Sequence, residues 1–306
     1  MKWNRIRPYL EIILAMLFWS ASFIWYKEAY LYLGPITLVF FRMIVASMFL
    51  FGLSTALKQL ERIKRKDIKY FILLAFVEPL LYFLGESHGM MLVSSTLGSV
   101  IASTIPLFTP FAALLFYREK ISWIKMAGVS ISFAGVLIVV IGKGFQLIAP
   151  IEGIALMFLA VFAAVGHSIM IVFLIPRYSV LTIILAQSFV GALYFLPIFI
   201  FTELGEIRLI QWNWAVMAPI IKLGIFPSSL SFILYTRTVR SLGITRSNVF
   251  ISFIPVFTAI MAYFILEEEM TTGKILGILI VLTGLLIAQS RGFKRQALKQ
   301  KPKRFL

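Results

Sequence analysis

The chain alternates long apolar runs with short polar breaks, and the lengths of the runs decide what they are. Apolar stretches cover about Leu10 to Tyr26, Leu33 to Leu57, Ile68 to Met90 and the two limbs of 95–141, and then Ile151 to Ile175, Leu181 to Phe201, Ala215 to Arg237 and the two limbs of 244–288. Each is roughly 17–25 residues, the length a helix needs to cross a hydrocarbon core of about 30 Å. The breaks are polar or charged: Lys58 to Lys69, Arg118-Glu119-Lys120, Gly142 to Pro150, Thr202 to Trp214 and Glu267-Glu268-Glu269. The pattern predicts an all-α integral membrane protein of about ten transmembrane helices. The first run follows Lys2, Arg5 and Arg7 as a signal peptide would, but it carries Trp19 and opens a series of spans, so it is expected to be retained.

One stretch occurs twice. Ser95 to Val139 aligns without a gap on Ile244 to Ala288, at an offset of about 149 residues, with roughly a third of positions identical. The matches include Ser103 with Ser252, Pro106 with Pro255, Glu119 with Glu268, Lys125 with Lys274, Gly128 with Gly277 and Gly135 with Gly284. Two unrelated apolar helices share Leu and Ile by chance; they do not share a proline, a glutamate, a lysine and two glycines in one register. Each copy reads as a helical hairpin within a five-span unit, residues 1–145 and 146–290, followed by a basic tail, 291–306.

Composition and charge add orientation. With 60% hydrophobic and 14% charged residues, and a mean hydropathy of +0.96, the chain has more apolar surface than a water-soluble fold of 306 residues can bury. Placing both termini in the cytoplasm puts the basic residues inside by roughly sixfold, leaving Lys27, Lys143, Arg208 and Lys274 outside. The net charge of +16 follows from that bias and from contact with anionic lipid, so no nucleic acid partner is expected. Five spans per unit is odd, so the second unit enters from the opposite side and the repeats are inverted, an arrangement used by secondary transporters of the cell (inner) membrane. Cysteine is absent, only two histidines occur and no HExxH motif is present, so neither a metal nor another cofactor is expected.

The run Leu17-Phe18-Trp19-Ser20, Gly34-Pro35 with Phe41-Arg42, and Pro255-Val256-Phe257 leading to Glu268, Gly277 and Gly284, with the weaker copy from Pro106 to Gly135, resemble the EamA family of the drug/metabolite transporter superfamily. That resemblance implies a ten-helix inverted-repeat carrier of small metabolites, often an exporter of amino acids or related compounds, with a central cavity. Pro110 and Glu86-Ser87-His88 depart from the usual pattern.

Polar groups inside the spans are the candidate chemistry. Glu78 lies near the middle of the third span, where a carboxylate must face a cavity, find a partner or take a proton, and Tyr82 and Glu86 follow it at steps of four. His167 lies well inside the sixth span as a hydrogen-bonding or proton-relay group, and Lys222 inside the eighth as a partner for Glu78 or an anion site; Trp19, Ser228 and Asn248 complete the expected substrate site. Glu78 and His167 are the candidate proton-coupling pair. Pro79, Pro106, Pro227 and Pro255 are expected helix breaks, with Pro79 and Pro227 at matching depth in the two units, the best sequence pointer to a binding site. Each has a plain alternative: an ordinary kink, a snorkelling lysine, a packed histidine. Arg42 reads as structural, and the glycines of the hairpins as packing surfaces.

The sequence therefore predicts a non-enzymatic secondary transporter, an exporter of small metabolites such as amino acids, working by alternating access with possible proton coupling. Its partners are a small-molecule substrate, lipid and, as an option left open, a second copy in a homodimer. A carrier of hydrophobic cations or drugs is the first rival. A membrane enzyme is the second, set against the lack of a nucleophile and base constellation.

Overall fold

The computed structural model describes residues 3–109, 112, 123–141, 146–243, 247 and 250–299, and its regular elements are helices. Six segments are long and apolar enough to span a membrane: Ile6–Ala29, Pro35–Ala56, Arg65–Leu92, Ile151–Ile171, Val180–Thr202 and Trp214–Leu242. Four shorter apolar helices, Ser95–Thr109, Met126–Val140, Ile254–Leu266 and Thr272–Ala288, occupy the duplicated stretches. The protein is an all-α, multi-pass membrane bundle. Large apolar side chains such as Phe51, Phe201 and Phe264 point outward, as a surface bathed in lipid requires.

We number the helices α1 (Trp3–Ala29), α2 (Pro35–Ala56), α3 (Ile68–Ala75), α4 (Tyr82–Leu92), α5 (Ser95–Ala102), α6 (Trp123–Val140), α7 (Ile151–Leu174), α8 (Val180–Thr202), α9 (Trp214–Ile225), α10 (Phe232–Leu242), α11 (Ile254–Leu266) and α12 (Thr272–Lys299). Helix α12 runs on past Arg291, so the stretch expected as a tail begins as helix.

Helix starts are set by capping. Ser94, Ser179 and Asn213 accept hydrogen bonds from the backbone N–H groups of Leu97, Thr182 and Val216 at the starts of α5, α8 and α9. Helix α2 begins at Gly34-Pro35, which offer no capping side chain, and the carboxylate of Glu203 caps it from the end of α8, accepting from Ile36 N at 3.1 Å and Thr37 N at 2.7 Å. A Cβ on residue 34 would collide with that carboxylate, which explains the glycine. Glu268 acts likewise on α5, accepting from Ser95 N at 2.7 Å and Thr96 Oγ1 at 2.8 Å.

Two spans are interrupted at corresponding points. A wide helical turn, Phe76–Leu81, separates α3 from α4, and another, Phe226–Ser231, separates α9 from α10. Proline supplies no N–H, and the residue before it is pushed out of helical geometry; Glu78 is accordingly extended at φ −143°, ψ 114°. Lesser breaks precede Pro106 and Pro255: the chain turns at 103–104 and again at 252–253, and α11 restarts with Pro255 in its first turn, where no donor is needed.

Packing follows small residues. Helices α6 and α12 meet along their length, with Gly128 and Gly135 facing Gly284 and Gly277 backbone to backbone, and Ser132 Oγ donating across the seam to Val281 O at 3.2 Å. Elsewhere α4 packs on α7, α2 on α8 and α9, α1 on α10 and α11, α3 on α8, and α5 on α7 and α11.

Candidate functional site: a buried charged cavity at the helix breaks

The helix breaks turn side chains from both halves of the chain into one internal cavity of about 90 Å³. Its wall carries Arg42, Glu78, Glu86 and His167 among aromatic groups that include Trp19, Tyr82, Phe232 and Tyr235. Glu78, Glu86 and His167 are 5%, 3% and 6% exposed, and Arg42 is 2% exposed. Charges so placed in a membrane must be paired and hydrogen-bonded or neutralised.

Two networks satisfy them. In the first, Glu86 accepts hydrogen bonds from Tyr26 Oη at 2.8 Å and Tyr82 Oη at 2.8 Å, while Arg42 donates through Nη1 to Tyr26 Oη at 2.6 Å and through Nε to Ser228 Oγ at 2.5 Å. The guanidinium lies 3.8 Å from Glu86 and over the Phe83 ring, 4.3 Å from its centre. Tyr26 thus links α1, α2 and α4.

The second network holds Glu78. Gln187 on α8 donates through Nε2 to the backbone carbonyl of Glu78 at 2.9 Å, capturing an acceptor that the break sets free. That contact orients the amide, so its Oε1 faces His167 Nε2 at 3.3 Å and requires an N–H there. The other ring nitrogen, Nδ1, lies 3.3 Å from Glu78 Oε2. A neutral imidazole protonated on Nε2 has only a lone pair on Nδ1, so the contact with Glu78 holds one proton, on either the carboxyl or the ring. The geometry sets a carboxylate oxygen and a ring nitrogen within reach of one shared proton.

Hydroxyl and indole donors surround the second break and tie it to α1. Ser229 Oγ donates to Gly224 O at 2.8 Å, Ser231 Oγ to Ala15 O at 3.1 Å, and Trp19 Nε1 to Pro227 O at 3.2 Å. The Trp19 ring still lines the cavity, set edgewise against Phe232 and tilted against Tyr235.

Of the residues expected in the site, the fold brings Trp19, Glu78, Tyr82, Glu86 and His167 to one cavity, with Ser228 touching it through Arg42. Lys222 is a correction. It pairs with Glu28 at the end of α1, stands over Trp25 and is about a third exposed, because the stem leads away from the break towards the nearest carboxylate at the rim. Asn248 lies outside the described residues. His88 keeps its ring on the carbonyl of Leu84 at 3.0 Å. Sequence reasoning missed three participants: Arg42, read there as structural, and Tyr26 and Gln187, whose partners stand 60 and 109 residues away in the chain.

A multi-pass bundle with a buried, charged, aromatic cavity at paired helix breaks is the architecture of a membrane transporter. The chain matches the EamA-like transporter family over residues 7–141 and again over 151–289, and it belongs to that family. It is 27% identical over 282 residues to an uncharacterized transporter of Archaeoglobus fulgidus, covering 92% of this chain and 98% of that one. Over 138 residues, 45% of this chain and 42% of the relative, it is 28% identical to the S-adenosylmethionine/S-adenosylhomocysteine transporter of Chlamydia trachomatis serovar L2. A solved crystal structure shares the fold, with a TM-score of 0.71 over 92% of this chain and 97% of that chain at 13% identity.

Proposed function

We propose that the protein is a secondary transporter of ten helices in two inverted five-helix repeats, residues 1–145 and 146–290, that exports small metabolites such as amino acids by alternating access. Proton coupling runs through Glu78 and His167, and the protein sits in the cell membrane with both termini in the cytoplasm. The observation that carries the reading is the single-proton contact between Glu78 and His167 on the wall of a cavity made by both halves. A group that must be protonated or paired when buried, and that reaches water in turn from each side, can exchange a proton for substrate.

The two family matches support the repeat, and so does the pattern of packing. Interchanging the halves turns α4 on α7 into α10 on α1, α2 on α9 into α8 on α3, and α1 on α11 into α7 on α5. A pseudo-two-fold relation of this kind lets one set of contacts close each face of the membrane in turn.

The test is counterflow. In proteoliposomes preloaded with unlabelled amino acids, we expect accumulation of labelled amino acid at least about tenfold above protein-free vesicles, stimulated by a pH gradient. No counterflow with amino acids, nucleosides, S-adenosylmethionine or cationic dyes would sink the transport reading. The dyes are included because Trp19, Tyr82, Phe232 and Tyr235 beside two carboxylates also suit a hydrophobic cation. S-adenosylmethionine is included because the chlamydial relative is named for it.

Topology has its own check. The chain contains no native cysteine, so single cysteines at Lys64, Arg118, Glu206 and Glu268 report cleanly. With a membrane-impermeant thiol reagent on intact cells, labelling is expected at Glu206 and Glu268 and not at Lys64 or Arg118. The opposite pattern overturns the orientation.

A further inference from the structure

A second charged site lies away from the cavity, where the link between α2 and α3 meets the link between α7 and α8. The basic run of the first link ends as the apolar α3 begins, and Arg177 comes just past the end of α7, so both links lie at the level of lipid headgroups. Hydrogen bonds lock the two together. Lys64 N donates to Tyr178 Oη at 3.1 Å, and Asp67 accepts from Tyr178 Oη at 2.7 Å and from Arg177 Nη1 at 3.1 Å. Arg240 braces the second link, donating through Nη2 to the carbonyls of Ile175 and Tyr178 at 2.7 and 2.8 Å. Asp67 is buried with both oxygens engaged, so its charge is already paired. Lys64 and Lys66 are exposed, and neither side chain has a hydrogen bond or ion pair among the described residues. With Arg177, whose side chain is 42% exposed, they line an open cleft of about 240 Å³.

An apolar wall adjoins the cleft. The Arg177 guanidinium stands over the Phe173 ring, 3.8 Å from its centre, and that ring packs on Tyr70 at 4.8 Å. Phe173 on α7 and Ile72 and Leu73 on α3 are exposed, which in a membrane bundle means exposed to lipid tails. Three bases around one paired carboxylate leave the cleft positive. We propose that it binds the phosphate of an anionic phospholipid, with the acyl chains lying along the exposed faces of α3 and α7. Charge and shape both select this occupant. A zwitterionic lipid would bring its own ammonium up to three bases, and a soluble phosphate would leave the apolar wall unused. Lys64 and Lys66 precede α3 and Arg177 follows α7, so one phosphate would bridge the two links. The site stands apart from the transport cavity and requires only that the bundle is embedded in a membrane.

The test titrates the full-length protein in detergent with phosphatidylglycerol, phosphatidylcholine or glycerol phosphate, and native mass spectrometry counts the bound molecules. Wild-type protein is expected to take its first phosphatidylglycerol about thirtyfold more tightly than its first phosphatidylcholine, the effect of two bases beside an anionic headgroup. Arg177→Gln would take a partner from buried Asp67 and weaken the fold, so the decisive variant is Lys64→Gln/Lys66→Gln, which leaves the Asp67 network untouched. We expect it to melt with the wild type and to lose the preference. Lys58→Gln/Arg62→Gln removes the same charge from the same link outside the cleft and should keep it. Undiminished preference in the Lys64→Gln/Lys66→Gln protein, or an equal loss in the Lys58→Gln/Arg62→Gln control, would overturn the cleft as the site. Glycerol phosphate bound as tightly as the lipid would overturn the occupant, because the apolar wall would then contribute nothing.

Discussion

In proteoliposomes, Glu78→Gln is expected to abolish the accumulation of substrate driven by a pH gradient and to preserve downhill exchange. Glutamine keeps the length of the side chain and its capacity to meet His167 Nδ1 with an N–H, but it cannot release a proton. The wild-type contact holds one proton between Glu78 Oε2 and His167 Nδ1, and the pair is neutral wherever that proton sits. Losing it leaves a bare carboxylate in a wall whose other fixed charges, Arg42 and Glu86, already balance one another. An uncompensated ion in such a place costs several kcal/mol, so in the proposed mechanism the proton-free state forms only when substrate charge or water replaces the proton. Removing the titration is therefore expected to uncouple proton movement from transport. A Glu78→Gln protein that still concentrates substrate at the wild-type rate, with the same response to the gradient, would take Glu78 out of the mechanism and leave His167 as the residue to test.

The parts of this site that were legible in the sequence are those whose signal is local. Glu78 beside Pro79, with Tyr82 and Glu86 at steps of four, states a carboxylate, a break and a common face within nine residues. The structure places all three on the cavity. Helix count was harder. Apolar letters alone mark continuous runs in the duplicated stretches and give no sign of the turns at 103–104 and 252–253, which divide the first limb of each. Arg42 could not be assigned from its own span, because its role is set by a tyrosine on α1, a phenylalanine on α4 and a serine in the second break. Lys222 failed for the same reason reversed: depth matched it to Glu78, while Glu28, closer in space, lies 194 residues away in the chain. Glu203 reads in sequence as a solvated loop acid. Its one available signal was the uncapped Gly34-Pro35 start of α2, which needs an acceptor from elsewhere.

Gly284→Leu is expected to prevent assembly of the folded bundle, whereas Gly52→Leu, a glycine-to-leucine change on an open helix face, leaves it intact. The sequence pairs Gly128 with Gly277 and Gly135 with Gly284, and the structure turns those four positions towards each other across the seam of α6 and α12. A Cβ at 284 would lie 2.6 Å from the carbonyl oxygen of Gly128 and closer still to Ser132 N, and one at 135 would lie 2.6 Å from Val281 N. These neighbours are backbone atoms, so no rotamer change relieves them; the helices must separate. Separation also breaks the Ser132 to Val281 hydrogen bond, and lipid tails offer no hydrophobic force to close the gap again. Overpacking of a well-filled core costs about 1–3 kcal/mol, and here, where the whole seam depends on close approach, the loss should reach at least the upper end. At Gly52 nothing lies within 4 Å, so leucine there meets only lipid. Detergent-solubilised Gly284→Leu should elute as aggregate or melt well below wild type, with Gly52→Leu unchanged. If Gly284→Leu melts with the wild type, the glycine seam does not hold the two hairpins together.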